Sequence, residues 1–118
     1  MSHRMLTITL QPDWKTALRQ AGRRASKSSY QGEVLNFESP GAFFGRMTER
    51  RWAIVRALQG QGELAVRELA RRVERDVKRV HEDVVELLEL GLVERAEGGG
   101  VSCPFDSVHI DMELRAAA

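Results

Sequence analysis

The sequence predicts a mainly α fold of the α+β class, in which a helical core is closed by a small β-hairpin and preceded by a strand-helix-strand extension. Three observations predict it. Apolar residues recur at helical spacing in three runs between residues 48 and 90, a triglycine at 98–100 separates two short strand-like segments, and strict alternation marks 5–10 and 108–114. A chain of 118 residues suits one core plus an extension, and two full cores would be cramped.

In the extension, Leu6, Ile8 and Leu10 alternate with Thr7 and Thr9, the period of a half-buried strand. After Pro12 the spacing changes to Trp14, Leu18, Ala21 and Ala25, with Asp13 as N-cap, which predicts an amphipathic helix. Ser26 to Gly32 reads as a polar loop and Glu33 to Phe37 as a second short strand. Ser39-Pro40-Gly41 reads as a breaker, so the predicted division is an extension over 1–40 and a second domain over 41–118.

The second domain opens with a helix capped by Thr48, with Trp52, Val55 and Leu58 on one face and Gly60 and Gly62 ending the run. Leu64 to Val73 supplies a shorter helix with Val66, Leu69, Ala70 and Val73 inward. Asp76 then caps a third helix to Leu90 whose inner face is Val77, Val80, Val84, Leu87 and Leu88, with Gly91 at its C-terminus. Leu92 to Arg95 and Val101 to Phe105 form the arms of a hairpin, and Val108, Ile110, Met112 and Leu114 mark a further strand. Two short helices joined by a tight turn, then a hairpin, make a winged helix-turn-helix between Thr48 and Leu114.

Several function classes are excluded by absence. No apolar run approaches the roughly 20 residues of a membrane span, and the opening MSHRMLTITLQPD has no apolar stretch of signal-peptide length, so a cytoplasmic protein is expected. Cys103 is the only cysteine, which rules out an internal disulfide and a cysteine-rich metal site. His3 sits near the start, His81 beside the apolar stripe of the third helix and His109 on a strand's outer face, with no metal spacing among them. No nucleophile dyad or carboxylate cluster suggests an enzyme, and no cofactor is expected. Trp14, Trp52 and Cys103 read as packing residues.

The net charge of +1 is uninformative, but its distribution is not. Between residues 67 and 81 six basic side chains (Arg67, Arg71, Arg72, Arg75, Lys78, Arg79) face three acids, whereas 82–97 holds six acids and only Arg95. The basic end of the third helix is the end that enters a major groove in a helix-turn-helix. Lys78 and Arg79 can donate to guanine edges, Glu82 can accept from a cytosine amine, Arg67, Arg71 and Arg72 can hold phosphates, and Arg75 stands just before the helix. Arg95 alone could reach a minor groove from the hairpin; Gly98-Gly99-Gly100 reads as a flexible tip, since no Lys-Ser/Thr follows it as in a phosphate cradle. The expected partner is double-stranded DNA, bound by a homodimer whose exposed strand edges at Thr7–Leu10 and Val108–Leu114 invite pairing. Two other readings stand beside it: a merely solvated charged face, and a protein-interaction module.

Arg67-Glu-Leu-Ala-Arg-Arg-Val73, Arg75-Asp-Val-Lys-Arg-Val-His-Glu-Asp83 and Glu89-Leu-Gly-Leu-Val-Glu94 together resemble the MarR-like predicted transcriptional regulators of bacteria and archaea. The likeness covers 37–114, including Phe37-Glu-Ser39, Arg50-Arg51-Trp52 and Cys103-Pro-Phe-Asp106. It implies a winged-helix repressor of its own operon. Such regulators are often encoded beside a toxin, which implies an antitoxin role, and direct neutralisation of a cognate toxin with DNA binding secondary is the alternative. One position departs from the family: Glu74 stands where the inter-helix turn usually has glycine. A positive φ there would cost a non-glycine residue about 1 kcal/mol.

Overall fold

The computed structural model of the chain describes residues 4–10, 32–113 and 116. The helix expected over Trp14–Ala25 lies outside them, as do His3 and Leu114. The described residues form an α+β protein with four helices and two small sheets. They divide into two compact units, one of residues 1–45 with 107–118 and one of residues 46–106.

The first unit is built on a three-stranded parallel sheet. Strand β1 (Met5–Thr9) lies between β2 (Glu33–Asn36) and β5 (Ser107–Asp111), with Leu6 beside Glu33 and Val108, and Ile8 beside Leu35 and Ile110. Leu6 and Ile8 are buried, as their alternation requires. The sheet corrects two expectations. Of the edge expected at Thr7–Leu10, Thr7–Thr9 is not open, because β1 is paired on both sides. The last strand completes this unit instead of the helical one, which ends at Asp106, so the division is not at 40/41. Alternation reports that a strand exists and which face is apolar; it carries no information about the neighbour.

A helix also replaces the expected breaker: α1 covers Pro40–Arg46. Ser39 caps it, its Oγ accepting the Ala42 N–H at 3.0 Å, and Pro40 occupies the first helical position, where its missing N–H has no partner to lose. The helix buries Phe43 edge-on against Phe37, with ring centroids 5.1 Å apart. Polar groups complete the unit. Arg4 clasps Glu33 through Nε and Nη2 at 2.9 and 2.7 Å, and the buried Thr9 hydroxyl donates to Asn36 Oδ1.

The second unit contains α2 (Glu49–Leu58), α3 (Val66–Val73), α4 (Val77–Leu90) and a hairpin of β3 (Glu94–Arg95) and β4 (Val101–Ser102). Thr48 caps α2 by accepting the Arg51 N–H, and the helix ends at Leu58 before Gly60 and Gly62, both at positive φ. Ile54, Val55 and Leu58 of α2, Leu69 and Ala70 of α3, and Val80, Val84, Leu87 and Leu90 of α4 are buried with Leu92, Val93, Val101, Cys103 and Phe105. Each large apolar side chain so buried stabilises the fold by about 1.5–3 kcal/mol relative to exposure. Leu64, expected inside a helix, instead exchanges two backbone hydrogen bonds with Val101, both 2.9 Å, adding a bridge to the hairpin. Among the described residues no helix is long and apolar enough to cross a membrane.

Candidate nucleic-acid interface

Helix α3 stops because Glu74 takes a left-handed conformation, φ 55° and ψ 48°, the only non-glycine residue with positive φ among those described. Its N–H turns back to Ala70 O and Arg71 O, and the Arg75 N–H reaches Ala70 O at 3.0 Å. Two residues later Asp76 starts α4, its carboxylate accepting the N–H groups of Lys78 and Arg79 at 3.1 and 3.3 Å. The turn is therefore only Glu74–Asp76, and it delivers the first turn of α4 to the surface.

Val80, Val84 and Leu87 bury one side of α4, which leaves Lys78, Arg79 and Glu82 on the exposed side. None of these three side chains has a hydrogen-bond or ion-pair partner among the described residues. Val77, expected in the core, is 39% exposed. It lines an open groove of about 790 Å³ with Arg67, Lys78, His81, Glu63 and the glycines of the hairpin turn. The groove thus joins the starts of both helices to the hairpin, and sequence reasoning missed the parts played by Glu63 and Val77.

Arg71, Arg72 and Arg75, by contrast, are engaged within the protein. Arg71 binds Glu68 through Nε and Nη2 at 2.8 and 2.6 Å, and Arg72 Nε reaches the same carboxylate at 2.8 Å while Nη1 donates to Gln61. Hydrogen bonds from Arg71 first and Arg72 second hold the Glu68 carboxyl at about 2, so it stays charged across the working range of pH. All three side chains are solvent-accessible, so these pairs contribute little and the arginines can exchange Glu68 for another anion.

Arg75 is placed differently. Its Nη2 donates to Asp83 Oδ2 at 2.8 Å, and Arg51 of α2 donates Nε to Asp83 Oδ1 at 3.0 Å. The three side chains are only 15–21% exposed. Burial would raise the Asp83 carboxyl, but the two guanidinium hydrogen bonds outweigh it and its pKa is lowered. Arg75 Nη1 is buried with no partner among the described residues. Arg75 therefore braces α4 rather than facing outward with Lys78 and Arg79.

The hairpin turn is held by Glu63, whose carboxylate accepts the Gly100 N–H at 2.9 Å. A Cβ on Gly100 would sit 2.5 Å from Leu64 O, so this position admits only glycine without backbone movement. The tip expected to be flexible is thus anchored at Gly100. Arg95 is exposed on β3 opposite Val101. The acids further along α4 meet Arg46: Glu86 at 2.9 Å and Glu89 at 3.7 Å, and the Arg46 hydrogen bond lowers the Glu86 pKa. Cys103 is buried, its thiol is pushed up by burial and donates weakly to Phe105 O. No group of three or more His, Cys, Asp or Glu able to hold a metal occurs among the described residues.

Neither the curated proteins nor the solved structures contain a match to this chain. The sequence profile of the HVO_A0114 family matches residues 46–110, more than half of the chain and the whole of the helical unit with its hairpin. The chain belongs to the HVO_A0114 family.

Proposed function

We propose that residues 46–106 act as a winged helix-turn-helix that binds double-stranded DNA, with the first turns of α4 in the major groove and β3–β4 as the wing. The observation that carries this reading is the exposed trio Lys78, Arg79 and Glu82, free of protein partners among the described residues at the start of a helix whose other side is core. Lys78 and Arg79 supply donors suited to guanine edges, and Glu82 an acceptor suited to a cytosine amine. Arg67, and Arg71 and Arg72 once released from Glu68, supply phosphate contacts. The wing contributes little, because its turn carries Glu97 and is bound by Glu63, and its only cation is Arg95.

The protein works by binding rather than catalysis, as a homodimer placing two α4 helices in successive major grooves about 34 Å apart. Occupancy of its own promoter represses transcription, in keeping with the resemblance to MarR-like regulators and to antitoxins that silence their operons. The test is binding of the full chain to a duplex from its upstream region. Lys78→Ala with Arg79→Ala should abolish preference for that duplex over a scrambled one while the thermal melt is unchanged. Arg71→Ala or Arg72→Ala should weaken both duplexes alike and reduce the salt slope by about one. Undiminished preference in the Lys78/Arg79 variant would overturn the reading.

A further inference from the structure

Among the described residues strand β5 has one neighbour, β1. It lies at the edge of the sheet, so its second row of N–H and C=O groups points away from β1. The usual protections of an edge, a lysine, a proline or a bulge, are missing from Ser107-Val-His-Ile-Asp111. Exposed apolar residues gather in the same unit: of the five large ones described, Met5, Phe44, Ile110 and Met112 belong to it and only Val77 does not.

The order of side chains along β5 selects a partner. Antiparallel pairing of two copies centred on Ile110 sets it opposite Ile110 of the partner subunit and Val108 opposite the partner's Met112 on one face. On the other face His109 then stands opposite the partner's Asp111, twice by symmetry. A centre one residue earlier sets His109 against its own copy, and one residue later sets two Asp111 carboxylates face to face. Charge and apolar pairing agree on the Ile110 register alone, and antiparallel pairing of identical strands generates the closed two-fold symmetry of a dimer.

We propose that β5 pairs antiparallel with β5 of a second copy about Ile110, joining two three-stranded sheets into one of six strands. This rests on the dimeric part of the functional reading above and names its surface and register. The pairing places side chains of one β5 in direct contact with those of the other, so charge reversal and its compensation test it.

The experiment is sedimentation velocity of the full chain at micromolar concentration and neutral pH, with a parallel measurement of binding to the upstream duplex. Wild type should sediment as a dimer. H109E sets a carboxylate against the partner's Asp111 in two places and should weaken dimerisation about tenfold, since each cross-strand pair is worth up to about 1 kcal/mol and like charges repel. Adding D111K to that variant should restore the wild-type constant to within about threefold. Both positions are exposed, and D111N, which removes the pair without adding charge, provides a milder loss of about threefold should H109E lower the melting temperature. A monomeric wild type, an H109E dimer as tight as wild type, or a double variant as weak as H109E would each overturn the pairing. Monomeric wild type that still binds the duplex overturns this inference and spares the DNA reading; a dimer that ignores the duplex does the reverse.

Discussion

Arg75 Nη2 lies 2.8 Å from Asp83 Oδ2, so a guanidinium at the entrance to α4 is tied to a carboxylate two turns into the same helix. Arg51 holds the second oxygen of that carboxylate from α2, and the pair of bonds sets the angle at which Lys78 and Arg79 are presented. Replacing Asp83 by Ala removes the acceptor of the partly buried Arg75 guanidinium and leaves Arg51 with the Arg46 carbonyl. Breaking a fully buried pair costs about 3–5 kcal/mol; with the residual exposure here, a loss of about 2 kcal/mol and roughly 10 °C in Tm is expected by thermal melt. A melt within a degree of wild type would remove the bracing role.

The same carboxylate predicts the acid limb of stability. The folded pKa of Asp83 is lowered despite its burial, because two guanidiniums bind its charged form, and that of Glu86 is lowered by Arg46. A depressed folded pKa contributes stability that is present above the unfolded value of about 4 and is lost as pH falls through the folded value. Tm should be level from neutral pH to about 5 and fall below about 4, and Asp83→Asn should flatten that fall. Equal acid limbs in both proteins would contradict the assignment.

Glu74 predicts a gain. Its left-handed conformation is one that glycine adopts without a Cβ penalty, so Glu74→Gly should stabilise the protein by about 0.5–1 kcal/mol, part of the relief being offset by the freer unfolded chain. A β-branched replacement such as Glu74→Val should destabilise by a comparable amount or more. Urea midpoints at unchanged m-value provide the measurement. The glycine variant keeps the bonds that close α3, since the N–H groups of residues 74 and 75 donate them from the backbone.

The division of the chain predicts which fragment folds. Residues 46–106 contain their own core, from Ile54 through Phe105, so this fragment should melt cooperatively and retain its helical circular dichroism. Deleting only 1–39 removes both β1 and β2 and leaves β5 without a sheet, so 107–113 should lose protection from hydrogen exchange while 46–106 keeps it. Loss of the cooperative transition in fragment 46–106 would show that the unit depends on the rest of the chain.

Local patterns in the sequence determined the helices of the second unit to within a residue or two. Thr48, Asp76 and Gly91 act locally through their own caps, and the 3.6-residue spacing of Val80, Val84 and Leu87 leaves a single buried face for α4. The left-handed turn at Glu74 was pointed to by the family resemblance, in which glycine usually holds that position, and not by a pattern in the surrounding residues. Ser39-Pro40 was as local as the caps and was misread because the signals that stop a chain, serine and proline, are also those that start a helix. Tertiary structure alone decided what lies far apart in sequence. It placed β5 beside β1 across a hundred residues, joined Arg51 and Arg75 on Asp83, fastened Gly100 to Glu63, and so separated the outward Lys78 and Arg79 from the arginines that hold the fold together. Charge and alternation are properties of single residues and short windows, whereas an ion pair or a strand register belongs to two segments at once and exists only after the chain has brought them within about 3 Å of each other.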